Sequence, residues 1–263
     1  MTVVLCGVAG DTTNVDPAPR ADAYGRFEYV PIPEKCATAE TTTYGDRPLR
    51  HADGVLADRL RRVRTMAGAW SDDPTVVAGH AVHHDPNFAR FTYGEHRPGY
   101  VARLRELGPG DAVAFYTGLR CPADDYMNRW LIGYFAVERV AVVDPDDAPE
   151  ERAATLAAHP HNAHAKRFRA RGALHYDDRP VVLVDGTAPG GLLRRAVRLT
   201  ERRDGSFRCA GTRRERFFPD ADGPVGLGSR KPARRSTLDA DRFAAAVETA
   251  PRPVPGDPWG GEG

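Results

Sequence analysis

The sequence predicts an α+β protein built on a mixed, largely antiparallel sheet with flanking helices. Two compact runs rich in β-branched residues, 2–9 and 179–186, read as buried strands. Two further apolar stretches, 111–119 and 130–143, are separated only by the polar loop 120–129 and read as a hairpin. The helical patterns fall between strands without the regular strand–helix alternation of a doubly wound sheet.

In chain order, "TVVLCGVA" (2–9) is the first strand and "GDTTN" the polar loop after it. "FEYVPIP" (27–33) alternates and ends in two prolines, which suits an edge strand. "TTTYGD" (41–46) is a turn. "GVLADRLRRVRTMAG" (54–68) places Val55, Leu56, Leu60, Val63 and Met66 on one stripe with arginines opposite, and predicts a helix. A short strand is expected around Thr75–Val77, before the His-rich segment that begins at His80. "PGYVARLREL" (98–107) is a helix stopped by "GPGD". Pro149, Glu150 and Glu151 begin another helix, with proline in the first turn and acids complementing the dipole. For "GGLLRRAVRLT" (190–200), helix and strand fit equally. Residues 239–250 predict an amphipathic helix capped by Asp239. These signals divide the chain into a globular unit, 1–207, and a Pro/Gly/Arg-rich extension, 208–263, with a frayed tail at 251–263.

Composition narrows the function classes. A chain of 263 residues with 41% hydrophobic content can bury a real core. No apolar run reaches the roughly 18 residues needed to span a bilayer. The N-terminus has no basic n-region and meets Asp11 too early for a signal peptide, so a cytoplasmic location is expected. Cys6, Cys36, Cys121 and Cys209 form no CxxC pair, which excludes zinc-ribbon and redox motifs and leaves free thiols. Net charge is +1 but uneven. Residues 1–150 carry 16 basic against 22 acidic side chains, and 151–219 carry 15 against 7. A basic middle third is what contact with phosphates needs, although arginine preference throughout the chain is also what genome base composition produces.

Two histidine-rich stretches could carry chemistry. In "HAVHHDPN", a strand would put His83 and Asp85 on one face, as a general base with its orienting acid or as two ligands for a divalent metal. A solvated loop with a turn at Asp85-Pro86 is the bland alternative. In "HPHNAH", His159, His161 and His164 could complete such a site or merely end a polar helix. "AKRFRARG" follows directly, and its Arg167, Arg169 and Arg171 suit a phosphate-bearing substrate. Asp11 and Thr12 end the first strand, where polar side chains often line a site. Phe115, Tyr116, Trp130, Tyr134 and Phe135 offer stacking surface or core, and at least half of them should be core.

The hairpin "LGPGDAVAFYTGLR…WLIGYFAVERV" resembles that of small β-barrels of the PUA and EVE superfamily, which hold a base in an aromatic pocket. More broadly, the order "GDTTN", "VPIPE", "TTYGD", "HHDPNF", "LGPGDAVAFYTGLR", "WLIGYFAVERV", "HPHNAH" and "AVRLT" resembles the nucleotide modification associated domain 3 family over roughly residues 2–200. On that resemblance the family's HxDP falls on His83, Asp85 and Pro86, its HPH on His159, Pro160 and His161, and its Tyr-Gly-Asp on Tyr44, Gly45 and Asp46. The first loop keeps an acid and a hydroxyl, Asp11 and Thr12, where the family carries a basic pair. The family's closing Trp-and-Pro segment has its nearest counterpart in "RERFFPD".

The resemblance implies a component of a DNA base modification system that acts on a nucleotide or a base in DNA. His83, Asp85, Asp46 and Asp11 are the expected acid–base or metal-binding groups. Thr12, Tyr44, His159, His161, Tyr116, Trp130, Arg167 and Arg169 are the expected substrate contacts. A divalent metal fits this set, and the implied partners are nucleotide or DNA and other proteins of the system. The alternatives are a non-catalytic reader that cages a modified base between hairpin aromatics, and a structural partner with no pocket.

Overall fold

The computed structural model describes residues 1–122, 126–203, 205–228 and 233–253. It is an α+β fold around a six-stranded mixed sheet. Its strands are β1 (Val3–Gly7), β2 (Thr92–Glu95), β3 (Ala112–Leu119), β4 (Asn128–Val143), β5 (Val181–Arg198) and β6 (Arg234–Ser236), in the spatial order β6-β1-β3-β4-β5-β2. Only β1 and β3 run parallel; the other neighbours are antiparallel. The helices are α1 (Pro74–Gly79), α2 (Pro98–Leu104), α3 (Pro149–Ala157), α4 (Ala163–Arg171), α5 (Gly211–Phe217) and α6 (Ala240–Glu248).

Both faces of the central strands are covered, which explains why β1 and β3 read as continuous apolar runs and not as alternating ones. One face carries Val4, Cys6, Phe115, Trp130 and Ile132, packed against α2 and the chain around Phe27 and Tyr29. The other carries Leu5, Ala114, Leu131 and Tyr134, packed against Phe217, Phe218, Leu227, Phe243 and Val247. The segment after residue 207 therefore supplies an edge strand and the lid of this second core layer. Among the described residues, Phe217, Phe218, Leu227, Phe243 and Val247 fill the sheet face from scattered positions, so periodicity within the segment is weak although these side chains are buried. The far tail, 254–263, lies outside the described residues, and with it most of the stretch expected to fray. Replacing Phe243 by alanine should cost about 3–5 kcal/mol, because a fully buried ring is lost and the cavity only partly collapses. Urea unfolding measures this; an unchanged midpoint would mean that α6 contributes nothing to the core.

Other elements differ from expectation for local reasons. The stripe at 54–68 forms only a 3-10 turn, Leu56–Arg59, followed by the strand Arg62–Arg64. Val63 pairs with Val15, and Arg61 and Arg62 reach Asp16, so a small antiparallel ribbon outcompetes the helix. Thr75–Val77 lies in α1 and not in a strand. Asp73 accepts from the Thr75 amide at 2.8 Å and Pro74 occupies the first turn, both helix-start signals. Residues 190–198 continue β5, with register irregularities at Gly186 and between Thr187 and Gly190. Asp239 caps α6 by accepting from the Arg242 amide at 2.8 Å. None of the four cysteines forms a disulfide. No helix among the described residues is long and apolar enough to cross a membrane.

Candidate metal centre and its pocket

The site begins with a two-residue ribbon. Ile32–Pro33 pairs antiparallel with Val82–His83, Ile32 opposite His83. That register sets Glu34, the residue after the double-proline segment, beside the His83 ring. Glu34 is fully buried. Its Oε1 lies 2.9 Å from His83 Nδ1, and its Oε2 accepts from Arg167 Nε at 2.8 Å. The backbone carbonyl of Glu34 meets His80 Nε2 at 3.0 Å. A buried acid tied to one guanidinium and one buried imidazole is costly to assemble, and only the complete set is tolerated.

Asp85 follows two residues after His83. Its Oδ1 accepts from the Gly94 amide on β2 at 2.8 Å, which leaves Oδ2 facing His83 Nε2 at 3.6 Å and His164 Nε2 at 3.3 Å. His164 stands in the first turn of α4. Asn162 places it there: its Oδ1 accepts from the His164 amide at 2.9 Å, and its Nδ2 donates to Thr92 Oγ1 on β2 at 3.1 Å. Gly94 is what allows this approach, since a Cβ there would sit 2.4 Å from His164 Cδ2. The helix start thus docks on the sheet edge and delivers an imidazole to Asp85.

The ligand atoms of His83, Asp85 and His164 all lie within 4.8 Å of one another. Ligands about 2.1 Å from a shared ion stand roughly 3.0–3.4 Å apart; the Asp85–His164 distance of 3.3 Å falls in that range and the Asp85–His83 distance of 3.6 Å lies just above it. Two imidazoles and one carboxylate suit a divalent transition ion such as Fe(II), Mn(II) or Zn(II) better than Mg(II) or Ca(II), which prefer all-oxygen shells. With an ion bound, the Glu34–His83 contact would be the outer carboxylate that orients a ligating imidazole. Electrostatics agree. Burial and Arg167 act to lower the pKa of His83, yet Glu34 and Asp85 raise it overall. Burial raises that of Asp85, but hydrogen bonding to His164 and His83 holds it at about 2. The locus between the rings favours positive charge.

A cavity of about 490 Å³ opens over these three residues. Asp11, Thr12 and Tyr116 line it, as do His83, Asp85 and Arg167. Asp11 also holds its own loop, its Oδ1 accepting from the Thr13 amide at 2.8 Å and from Asn14 Nδ2 at 3.1 Å. His96 and Tyr176 form one wall, their ring centroids 4.5 Å apart. Burial lowers the pKa of His96 to about 4, which leaves that ring neutral at physiological pH.

Other expected residues lie elsewhere. Tyr44 is buried in a satellite cluster, its hydroxyl donating to the Pro31 carbonyl at 2.7 Å. Asp46 is exposed and caps the turn at Thr43. Trp130, Phe115 and Phe135 are core, and Tyr134 faces α6. His161 is exposed, and Arg169 donates outward to the Pro160 carbonyl at 2.9 Å. Pro160 ends the α3 region, so the two histidines flanking it diverge from the pocket. His159 Nδ1 lies 2.8 Å from Asp185 Oδ2, beside Arg139. The third histidine of that stretch, His164, is the one that converges. Glu34, His96 and Arg129 also join the pocket or its support. A lone acid after an apolar stretch was the available signal for Glu34.

A family model described as nucleotide modification associated domain 3 matches residues 2–224. The chain belongs to that family. No curated protein and no solved structure matches it. Within this member of the nucleotide modification associated domain 3 family, the matched span holds all three metal-competent residues and the whole pocket lining.

Asp185 gives a pH prediction outside the pocket. Burial raises its pKa, but His159 and Arg139 outweigh burial and hold it at about 2. A depressed carboxylate contributes stability that is present above its unfolded pKa near 4 and is lost as pH falls through about 2. Partial exposure limits this to about 1 kcal/mol. Asp185→Asn should therefore flatten the acid-side fall of Tm between pH 4 and pH 2. A fall as steep as that of the wild type would refute the assignment.

Proposed function

We propose that this protein is a divalent-metal enzyme of a nucleotide modification system, acting on a nucleotide or a base in DNA. The observation that carries the reading is the convergence of His83, Asp85 and His164 at the floor of an open cavity, with Glu34 behind His83. Three protein ligands with space beside them are the arrangement of a catalytic metal, whereas structural sites close the fourth position. A bound ion would supply Lewis acidity and an activated water. The chain's own contributions are to fix the His83 ring through Glu34, to aim Asp85 through the Gly94 amide, and to confine the substrate between the first loop and the His96–Tyr176 wall. Reading by an aromatic cage has less support, because of the five hairpin aromatics only Tyr116 lines the cavity.

Metal analysis of the purified full chain tests the proposal, with about one equivalent of a transition ion expected. Nucleoside mass spectrometry of cells with and without the gene is expected to reveal one modified nucleoside that depends on it. A protein that neither retains nor takes up a divalent ion would overturn the metal reading. An unchanged nucleoside profile would overturn the pathway reading.

A further inference from the structure

Four cationic side chains line the cavity: Lys35, Arg97, Arg129 and Arg167. Two of them are committed. Arg167 is paired with the buried Glu34 at 2.7 Å, and Arg97 with Glu95 at 2.5 Å. Lys35 stands exposed on the rim. Arg129 differs from all three. Its side chain makes no ion pair and no hydrogen bond among the described residues, and its Nε is fully buried without a partner. Burial lowers its pKa, yet an arginine remains charged. The acid whose field reaches it, Asp11, is engaged with Thr13 and Asn14.

A half-buried guanidinium without a counter-ion is costly unless something else completes it. The surroundings hold this one in place. Its Cζ lies over the Phe207 ring, 4.4 Å from the centroid. Gly118 on β3 leaves the space the guanidinium occupies, since a Cβ there would stand 2.6 Å from Arg129 Nη1. The backbone is held too, the Arg129 amide donating to Thr200 Oγ1 at 2.9 Å. A fixed, unpaired fork facing a cavity suits bidentate capture of an oxyanion.

Resting on the nucleotide reading above, we infer that Arg129 is the anion anchor of this pocket and that its ligand is a nucleotide phosphate, either of a free mononucleotide or of a strand. This moves the phosphate contact away from the Arg167–Arg171 stretch, whose first member is occupied by Glu34. Lys35 adds charge at the rim.

The test is isothermal titration of the full chain, treated with chelator so that it does not depend on the metal. The probes are 2′-deoxynucleoside 5′-monophosphates, the matching nucleosides, and a short single-stranded oligonucleotide. At least one phosphorylated probe is expected to bind about tenfold or more tightly than the nucleosides. Tight binding of the monophosphate assigns a free nucleotide, and of the oligonucleotide alone a strand. In Arg129→Gln the preference should fall to about twofold or less, with Arg129→Lys between the two. Metal content of Arg129→Gln should stay that of the wild type, which separates this inference from the metal reading. A wild type without phosphate preference, or an Arg129→Gln variant that keeps it, would overturn the inference. Should Arg129→Gln fail to fold, Gly118→Ala displaces the fork while retaining its charge and should lose the same preference; full retention there would be equally fatal.

Discussion

Replacing Glu34 by alanine should destabilise the protein by about 3–5 kcal/mol, the largest single effect expected from a polar substitution in this chain. Glu34 is fully buried, and Arg167, which it holds at 2.7 Å, is nearly so. Removing the acid leaves a guanidinium in the interior with no counter-ion, and the desolvation cost of that charge is then uncompensated. Urea unfolding at neutral pH measures the loss. The double variant Glu34→Leu/Arg167→Met, which removes both charges and keeps volume, should recover most of it. A Glu34→Ala variant within about 1 kcal/mol of the wild type would show that the pair is hydrated and that His83 is held by something else.

In His164→Ala, metal affinity should drop by at least about 100-fold, and the modified nucleoside should fall to the level of cells lacking the gene. The reasoning is that loss of a direct ligand exceeds the 10–100-fold typical of losing an outer-shell partner. The adjacent histidines are internal controls. His161 is exposed and its replacement should leave both readouts unchanged. His159 faces Asp185, so its replacement should lower stability and leave metal content intact. Equal metal binding by His164→Ala and wild type would remove His164 from the centre. Asp85→Ala should match His164→Ala, because Asp85 Oδ2 is the atom both imidazoles share.

These controls separate three histidines that look alike in the sequence. "HPHNAH" announces a cluster but not its direction. Pro160 breaks the helix, and the residue that reaches the pocket is set by where α4 restarts and docks. The docking contacts are Asn162 to Thr92 and the bare backbone at Gly94, which lie about seventy residues apart in the chain. "HHDPN" was more legible. His83 ends its short strand and Asp85 lies in the bend after it, the Asp85 amide donating to the His83 carbonyl at 2.8 Å, so the two side chains meet through a tight turn and not through strand alternation. The arginine-rich stretch after His164 was misleading in its charge. Lys166 and Arg167 answer Glu40 and Glu34 from the acidic first half, so the surplus that suggested a phosphate surface is partly internal pairing. Among the described residues that line the pocket, a half-buried charge without a counter-ion is on Arg129, which the sequence shows only as one more arginine at the start of an apolar strand.

The sequence by itself determined the α+β class, the central hairpin, the buried first strand and the His83–Asp85 pair, because these depend on periodicity and spacing over a few residues. Tertiary structure alone decided that His164 and Glu34 converge on that pair, that the aromatics of the hairpin are mostly core, and that the chain after residue 207 closes the second face of the sheet. Those outcomes depend on which distant surfaces are buried against one another, and burial energy is a property of the assembled surfaces and not of any one segment.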